Sequence, residues 1–249
     1  MKKILLVFAT VWITVSGNAQ ITADIGVWGG TSLYFGDLEE NNPLQPLNPN
    51  FGGYFRYNFN SRVGLRAMFL TGGFADEGKI EGEDWAFSKT VQDFSLQVEI
   101  NFLKYIIGVD KTPFSTYVTA GIGVAFYPYD LDESEISTIS RFNPNHILGS
   151  FPMQESVITA TLPFGIGFKY SLGQRLGVGI EYQMRKMFSD RLDNLDDPLA
   201  YITTANGVDE EITYSDIMHN NDWSGYLGVH LTYKIYMGKK ACPAYERKN

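Results

Sequence analysis

The most constraining feature of this chain is a two-residue alternation of apolar and polar side chains. It recurs over residues 22–36, 50–59, 62–72, 90–103, 115–127, 155–170, 176–188 and 222–236. A period of two is that of a β-strand, whose side chains point to opposite faces in turn. Phe94, Leu96, Val98, Ile100 and Phe102 share one face, and Ser95, Gln97, Glu99 and Asn101 share the other. Phe51, Gly53, Phe55, Tyr57 and Phe59 likewise oppose Tyr54, Arg56 and Asn58. Leu176, Val178, Ile180, Tyr182 and Met184 oppose Glu181, Gln183 and Arg185. In the last segment Leu227, Val229, Leu231, Tyr233 and Ile235 oppose His230, Thr232, Lys234 and Tyr236. Most segments exceed the roughly 9–11 residues that a tilted strand needs to cross a bilayer, and the second and third are the shortest. A soluble β-sandwich alternates in the same way, so the connections decide.

Those connections alternate in length. Residues 60–61, 104–114 and 171–175 are short links, whereas 37–49, 73–89, 128–154 and 189–221 are long. An even-stranded up-and-down barrel has short turns at its periplasmic end and long loops outside. A Greek-key sandwich has no reason to follow that rule. Composition agrees, with 25 Gly, 17 Phe, 15 Tyr and 4 Trp beside only 19% charged residues. The formal charge of −8 argues against a nucleic-acid partner. The sequence therefore predicts an all-β, eight-stranded, antiparallel up-and-down transmembrane barrel.

The N-terminus predicts export. Lys2 and Lys3 precede an apolar run, Ile4 to Val15, and Gly17-Asn18-Ala19 offers small residues to a signal peptidase. Cleavage is expected after Ala19, giving a signal peptide over 1–19, a barrel over 20–238 and a periplasmic tail over 239–249. The alternative, a membrane anchor, needs a longer run than this one. No later run reaches 18 apolar residues. Closure of a barrel would still pair every backbone group inside a bilayer. Charge divides between the ends. Residues 73–89 carry Asp76, Glu77, Glu81, Glu83 and Asp84, and residues 189–221 carry Asp190, Asp193, Asp196, Asp197, Asp209, Glu210, Glu211 and Asp216. The other end carries Arg62, Lys104, Lys111, Arg175, Lys239, Lys240, Arg247 and Lys248. The acidic side reads as ordinary solvated loops, or as a crown holding divalent ions beside lipopolysaccharide.

If the apolar face meets lipid, Asp24, Arg56, Arg66, Asp93, Glu99, Lys169, Glu181, Arg185 and Lys234 face inward, five basic groups and four acidic. An eight-stranded lumen is only wide enough to be filled by side chains. Buried charges must then be paired. An internal salt-bridge network and no open pore are expected.

Candidate chemistry is sparse. His146 and His219 lie in long connections and His230 faces inward. Ser215, Asp216 and His219 are near one another in sequence, without a nucleophile signature. One cysteine and no HExxH leave no zinc pattern. Asp193, Asp196 and Asp197 lack EF-hand spacing. Gly121-Ile-Gly123, Gly165-Ile-Gly167 and Gly177-Val-Gly179 fall within strands, where glycine permits bending or close packing, and do not suggest a phosphate cradle. No cofactor, metal or small-molecule substrate is expected. Cys242, in Lys239-Lys-Ala-Cys-Pro243, follows the last strand. A single cysteine in an oxidising compartment suggests either an intermolecular disulfide or a passive thiol.

Several short motifs occur in order. They are Gly36-Asp37-Leu38, Phe51-Gly-x-x-x-Arg56-Tyr57-Asn58, Leu96-x-x-Glu99-x-Asn101-Phe102 and Ala120-Gly-Ile-Gly123. Pro163-Phe-Gly165-x-Gly167-x-Lys169-Tyr170, Glu181-x-x-x-Arg185-x-x-x-x-Asp190-x-Leu192-Asp193 and Cys242-Pro243 follow. Tyr226-x-Gly228-x-x-Leu231-x-Tyr233 resembles the final-strand signal of outer-membrane assembly. Together the series resembles the PorG-type outer-membrane β-barrel family of the type IX secretion system. The resemblance implies a small barrel of OmpA/OmpX-like size that helps seat a periplasmic ring, built from a lipoprotein and its ring partner, at the outer membrane. It does not imply a conduit. It implies outer-membrane lipid and lipopolysaccharide as surroundings, periplasmic termini, and the basic end with Cys242 as docking surface. Two other readings stay open: a general small barrel for envelope stability or adhesion, and a lipid-modifying barrel enzyme.

Overall fold

In a computed structural model of the chain, the described residues are 22–35, 48–80, 83–109, 111–130, 154–189, 192, 201–205, 208–212 and 222–236. They form β1 (Thr22–Phe35), β2 (Asn48–Asn58), β3 (Val63–Ile80), β4 (Glu83–Asn101), β5 (Phe114–Asp130), β6 (Gln154–Ser171), β7 (Leu176–Met187), β8 (Tyr201–Ala205), β9 (Val208–Ile212) and β10 (Trp223–Tyr236). Eight strands close into a barrel in the order β1-β10-β7-β6-β5-β4-β3-β2, and β8 and β9 make a separate hairpin between β7 and β10. Each barrel strand pairs antiparallel with its neighbours, and β10 closes onto β1 from Thr22↔Tyr236 to Phe35↔Trp223. The chain is an eight-stranded antiparallel up-and-down barrel.

The alternation sorts the two faces. Ile25, Phe51, Phe69, Leu96, Ile122, Ile166, Ile180 and Val229, one from each barrel strand, all lie on the outside and are 43–66% exposed. A belt of large apolar side chains on all sides is far beyond what a water-soluble surface carries. Hydrocarbon is the solvent that such a wall fits, and closure leaves no strand edge unpaired across it. The barrel therefore spans a membrane through this belt.

Two departures from the sequence expectation concern the long-loop end. Residues 73–89 are a continuation of β3 and β4, and the ladder between them runs on to Ile80↔Glu83. The β2–β3 ladder stops at Asn50↔Gly72 and the β4–β5 ladder at Gln92↔Phe126. A two-stranded ribbon thus rises above the barrel. Its cause is the same alternation: Phe74, Phe87 and Val91 turn inward and are buried, among acidic residues that made the stretch look like a loop. The third strand is accordingly among the longest, not the shortest. The second departure is the hairpin β8–β9 inside the connection over 189–221.

Candidate functional site

The half of the lumen nearer the short turns is filled by buried ionic side chains. Arg56 on β2 reaches sideways to Asp24 on β1, with Nε and Nη2 donating to Oδ2 at 2.9 and 2.8 Å. Its Nη1 donates to both oxygens of Glu99 on β4 at 3.0 Å. Lys169 on β6 donates to the same Glu99 carboxylate. Arg66 on β3 crosses the barrel to Glu181 on β7, with Nη1 at 2.8 Å and Nη2 at 2.6 Å, the two-pronged geometry that fits guanidinium to carboxylate. Gln97 accepts from Arg66 at 2.5 Å, and Asn58 donates to Asp24 at 2.8 Å. The carboxylates Asp24, Glu99 and Glu181 balance Arg56, Arg66 and Lys169 one for one, and every one of these side chains is at most 4% exposed.

The next layer holds His230. Tyr54 OH lies 3.1 Å from Nδ1, and Tyr117 OH lies 3.0 Å from Nε2. Both ring nitrogens are thus occupied from opposite walls, and the imidazole is a packed structural group. Room for the phenol comes from Gly26, where a Cβ would overlap the Tyr54 ring. Above this layer Arg185 on β7 pairs with Asp93 on β4, with Nε at 3.0 Å from Oδ1. That N–H is not aimed at the oxygen, so the contact is an ion pair. The guanidinium also lies over the Tyr226 ring, 4.3 Å from its centre, a cation–π contact strengthened by desolvation.

Described residues of the connections pack into both ends of the barrel. At the short-turn end residues 102–109 and 111–113 fold across the opening, with Tyr105 and Ile107 buried. Tyr105 N donates to Ser61 O at 2.9 Å, and Gly108 N donates to Ser171 Oγ at 2.9 Å. Lys234 on β10, the strand diametrically opposite β4, donates to Ile107 O at 2.5 Å. Burial pushes the Tyr105 phenol above its ordinary range, and its ring lies 4.8 Å below the Lys169 ammonium. Gly108 has φ 84°, and a Cβ there would overlap the Gln174 carbonyl. At the long-loop end Asp222 accepts from Tyr34 OH at 3.0 Å and from Leu192 N at 2.9 Å. Leu192 is thereby seated in the core with no exposure. Asp222 O also accepts from Met187 N at 3.0 Å.

The structure brings Asp24, Arg56, Arg66, Glu99, Lys169 and Glu181 into one layer, puts Asp93 and Arg185 in a second, and sets Lys234 against the closing segment. Sequence reasoning passed over the inward aromatics Trp28, Phe74 and Tyr226. It also treated 104–114 as a plain link, although Tyr105 and Ile107 in that stretch are the apolar pair that seals the mouth. The exposed cations Arg62, Lys104, Lys111 and Arg175 stand in the short connections. Asp110, between Val109 and Lys111, lies outside the described residues. Cys242, His146, His219, Ser215, Asp216, Asp193, Asp196, Asp197, the N-terminal leader and the basic tail lie outside the described residues. Among the described residues no three His, Cys, Asp or Glu side chains are grouped to hold a metal ion.

Comparison with solved structures finds similar chains. The N-terminal β-barrel domain of Pseudomonas aeruginosa OprF is 12% identical, with 87% of this chain and 98% of that chain covered and a TM-score of 0.44. Neisserial surface protein A is 9% identical, with 88% and 100% covered and a TM-score of 0.46. The outer membrane protein OprG of Pseudomonas aeruginosa is 12% identical, with 88% and 98% covered and a TM-score of 0.46. No curated protein matches the sequence. One family profile, DUF6089, described as a domain of unknown function, matches residues 2–246, and with nearly the whole chain covered the protein belongs to that family.

Proposed function

We propose that the chain is a non-enzymatic outer-membrane component of the type IX protein secretion and gliding apparatus, where it helps seat the periplasmic ring. The observation that carries this reading is the sealed, charge-balanced lumen. Glu99 and Glu181 are locked to arginines, and Tyr105 and Leu192 are buried at the two ends. Such a barrel offers cargo no passage, so its part in export lies at its surfaces. The ordered motifs that resemble the PorG-type family supply the apparatus, and the leader over 1–19 supplies the route to the outer membrane. In this orientation the short turns and both mature termini face the periplasm, the compartment of the ring lipoprotein and its partner, with one of which Cys242 forms a disulfide in this reading.

The test is deletion. Loss of secreted proteins and of gliding is the expected result, and a normal secretome would overturn the assignment. A normal secretome with a fragile envelope would favour the general small barrel, and altered lipid A or phospholipid mass profiles would favour the enzyme. Non-reducing gels of intact envelopes, with Cys242→Ser beside wild type, test the thiol: a single monomer band in both removes the disulfide.

A further inference from the structure

The outer wall is grooved along β7 near the short turns. The ladders put Val178 between Tyr170 on β6 and Leu231 on β10, and Ile180 between Phe168 and Val229. Val178 is the shortest side chain of its row and is half-buried, whereas Tyr170 and Leu231 beside it are exposed. These six residues line a groove of about 460 Å³. Gly179 and His230 complete its floor, with the His230 imidazole turned away into the lumen toward Tyr54 and Tyr117. Neighbouring strands lie about 4.8 Å apart, so the ridges on β6 and β10 stand roughly 10 Å apart, with room for one hydrocarbon chain between them. At the short-turn end of the groove Arg175 is exposed, and its Nη1 donates to Tyr233 OH at 3.0 Å. Tyr233 pairs with Leu176, the outward residue that precedes Val178 on β7.

We propose that this groove binds one acyl chain of a phospholipid whose phosphate is held by Arg175 and Tyr233. Val178 follows Arg175 by three residues, roughly 10 Å along a strand and about 8 Å along the membrane normal at the usual barrel tilt. The interfacial zone on each side of the hydrocarbon is about 5–8 Å deep, so a phosphate at Arg175 puts its acyl chain at the groove. A guanidinium fits phosphate in two-pronged geometry, and a tyrosine at this depth offers a hydroxyl beside an apolar ring. The surrounding lipid tails are as apolar as the groove walls, so exclusion of water does not select the bound lipid. What holds it is the closer packing of a chain with walls on two sides together with the phosphate contact, and neither suffices alone. In the orientation of the preceding section this is the periplasmic leaflet, and the choice of phospholipid over lipopolysaccharide rests on that orientation.

The test is native mass spectrometry of the purified full-length protein, delipidated in detergent and offered three probes in turn: phosphatidylglycerol, diacylglycerol with the same chains, and lipid A. Val178→Phe fills the groove from its floor, and Arg175→Gln removes the cation. Ala67→Phe enlarges an outward side chain on β3, across the barrel from β7. Gel mobility with and without heating verifies that each barrel is folded. Wild type and Ala67→Phe should each keep one phosphatidylglycerol after the micelle is stripped. Val178→Phe and Arg175→Gln should each weaken retention by on the order of tenfold or more, the scale of one lost charge-assisted hydrogen bond, and diacylglycerol should not be retained. No retained lipid in wild type, a loss from only one of the two changes, equal retention of diacylglycerol, or lipid A held in preference to phospholipid would each overturn the proposal. The apparatus reading fails separately, through a normal secretome on deletion, which leaves the lipid count intact.

Discussion

Replacing Glu99 by glutamine keeps the shape of the side chain and removes one charge from the middle of the ionic layer. Glu99 faces Arg56 at 3.0 Å, Arg66 at 4.0 Å and Lys169 in direct contact. After the substitution Arg56 keeps Asp24 and Arg66 keeps Glu181. Lys169 loses the carboxylate that neutralises its ammonium, while that ammonium stays over the Tyr105 and Tyr117 rings. Breaking a buried pair from one side costs about 3–5 kcal/mol, since an uncompensated charge remains. The expected loss for Glu99→Gln is of that order. Adding Lys169→Met removes the stranded cation, and the double variant should recover with a coupling of about 0.5–3 kcal/mol. The assay is urea unfolding and refolding in phospholipid vesicles, followed by the gel shift between folded and unfolded barrel. A Glu99→Gln barrel within about 0.5 kcal/mol of wild type, the range of ordinary surface substitutions, would show a hydrated layer and refute the reasoning.

Three further outcomes follow from the closed mouths. Reconstituted wild type in planar bilayers should show no stable ion-conducting channel, and Ile107→Ala should remain silent because the ionic layer still fills the lumen; steady conductance in wild type would refute the filled interior. Gly108→Ala should cost about 1–3 kcal/mol through its positive φ and should expose the bonds after Lys104 and Lys111 to trypsin, whereas unchanged proteolysis would mean that the segment is not held as described. Asp222→Ala removes the acceptor of Tyr34 OH and Leu192 N, a loss of about 1–3 kcal/mol, and hydrogen exchange at the Leu192 amide should speed up; unchanged exchange would discard the latch.

Strand existence and facing were legible in the sequence because lipid outside and charge inside give a clean period of two. The stretch Phe94 to Phe102 shows it best, with every polar residue inward. Strand ends were less legible. Asp76, Glu77 and Gly78 have poor strand propensity, yet they stay in register because β4 supplies partners down to Glu83. A ladder already nucleated in the barrel needs only one inward apolar residue in two to continue, and Phe74 and Phe87 provide it. The inward aromatics were hidden for a related reason. Trp28 and Tyr226 look lipid-facing by hydrophobicity, but glycines on neighbouring strands leave lumen space for them; a Cβ at Gly228 would overlap the Trp28 ring. Pairing partners lay beyond reach, since Arg66 meets Glu181 across the barrel from 115 residues away. The closing role of 102–113 was hidden too, because nothing local marks Tyr105 and Ile107 as pointing into a lumen.

The ionic layer is better explained by register than by stability. A buried ion pair is often no more stabilising than well-packed apolar residues of the same volume. A one-residue slip of a strand, however, turns its whole inward set outward. For β3 that slip would put Arg66 on the lipid wall, where a cation at mid-membrane costs about 2–4 kcal/mol, and would strand Glu181 inside. Arg56 ties β1, β2 and β4 together, and Arg66 ties β3 to β7, so the contacts act as bolts across the barrel. The paired replacement Arg66→Met/Glu181→Leu should therefore leave unfolding free energy equal to wild type or higher by up to about 4 kcal/mol. It should also reduce the share of chains that refold to a single species, measured by disulfide trapping between cysteines at the cross-strand partners Ala67 and Leu96. A lower unfolding free energy with uniform register would reverse the argument.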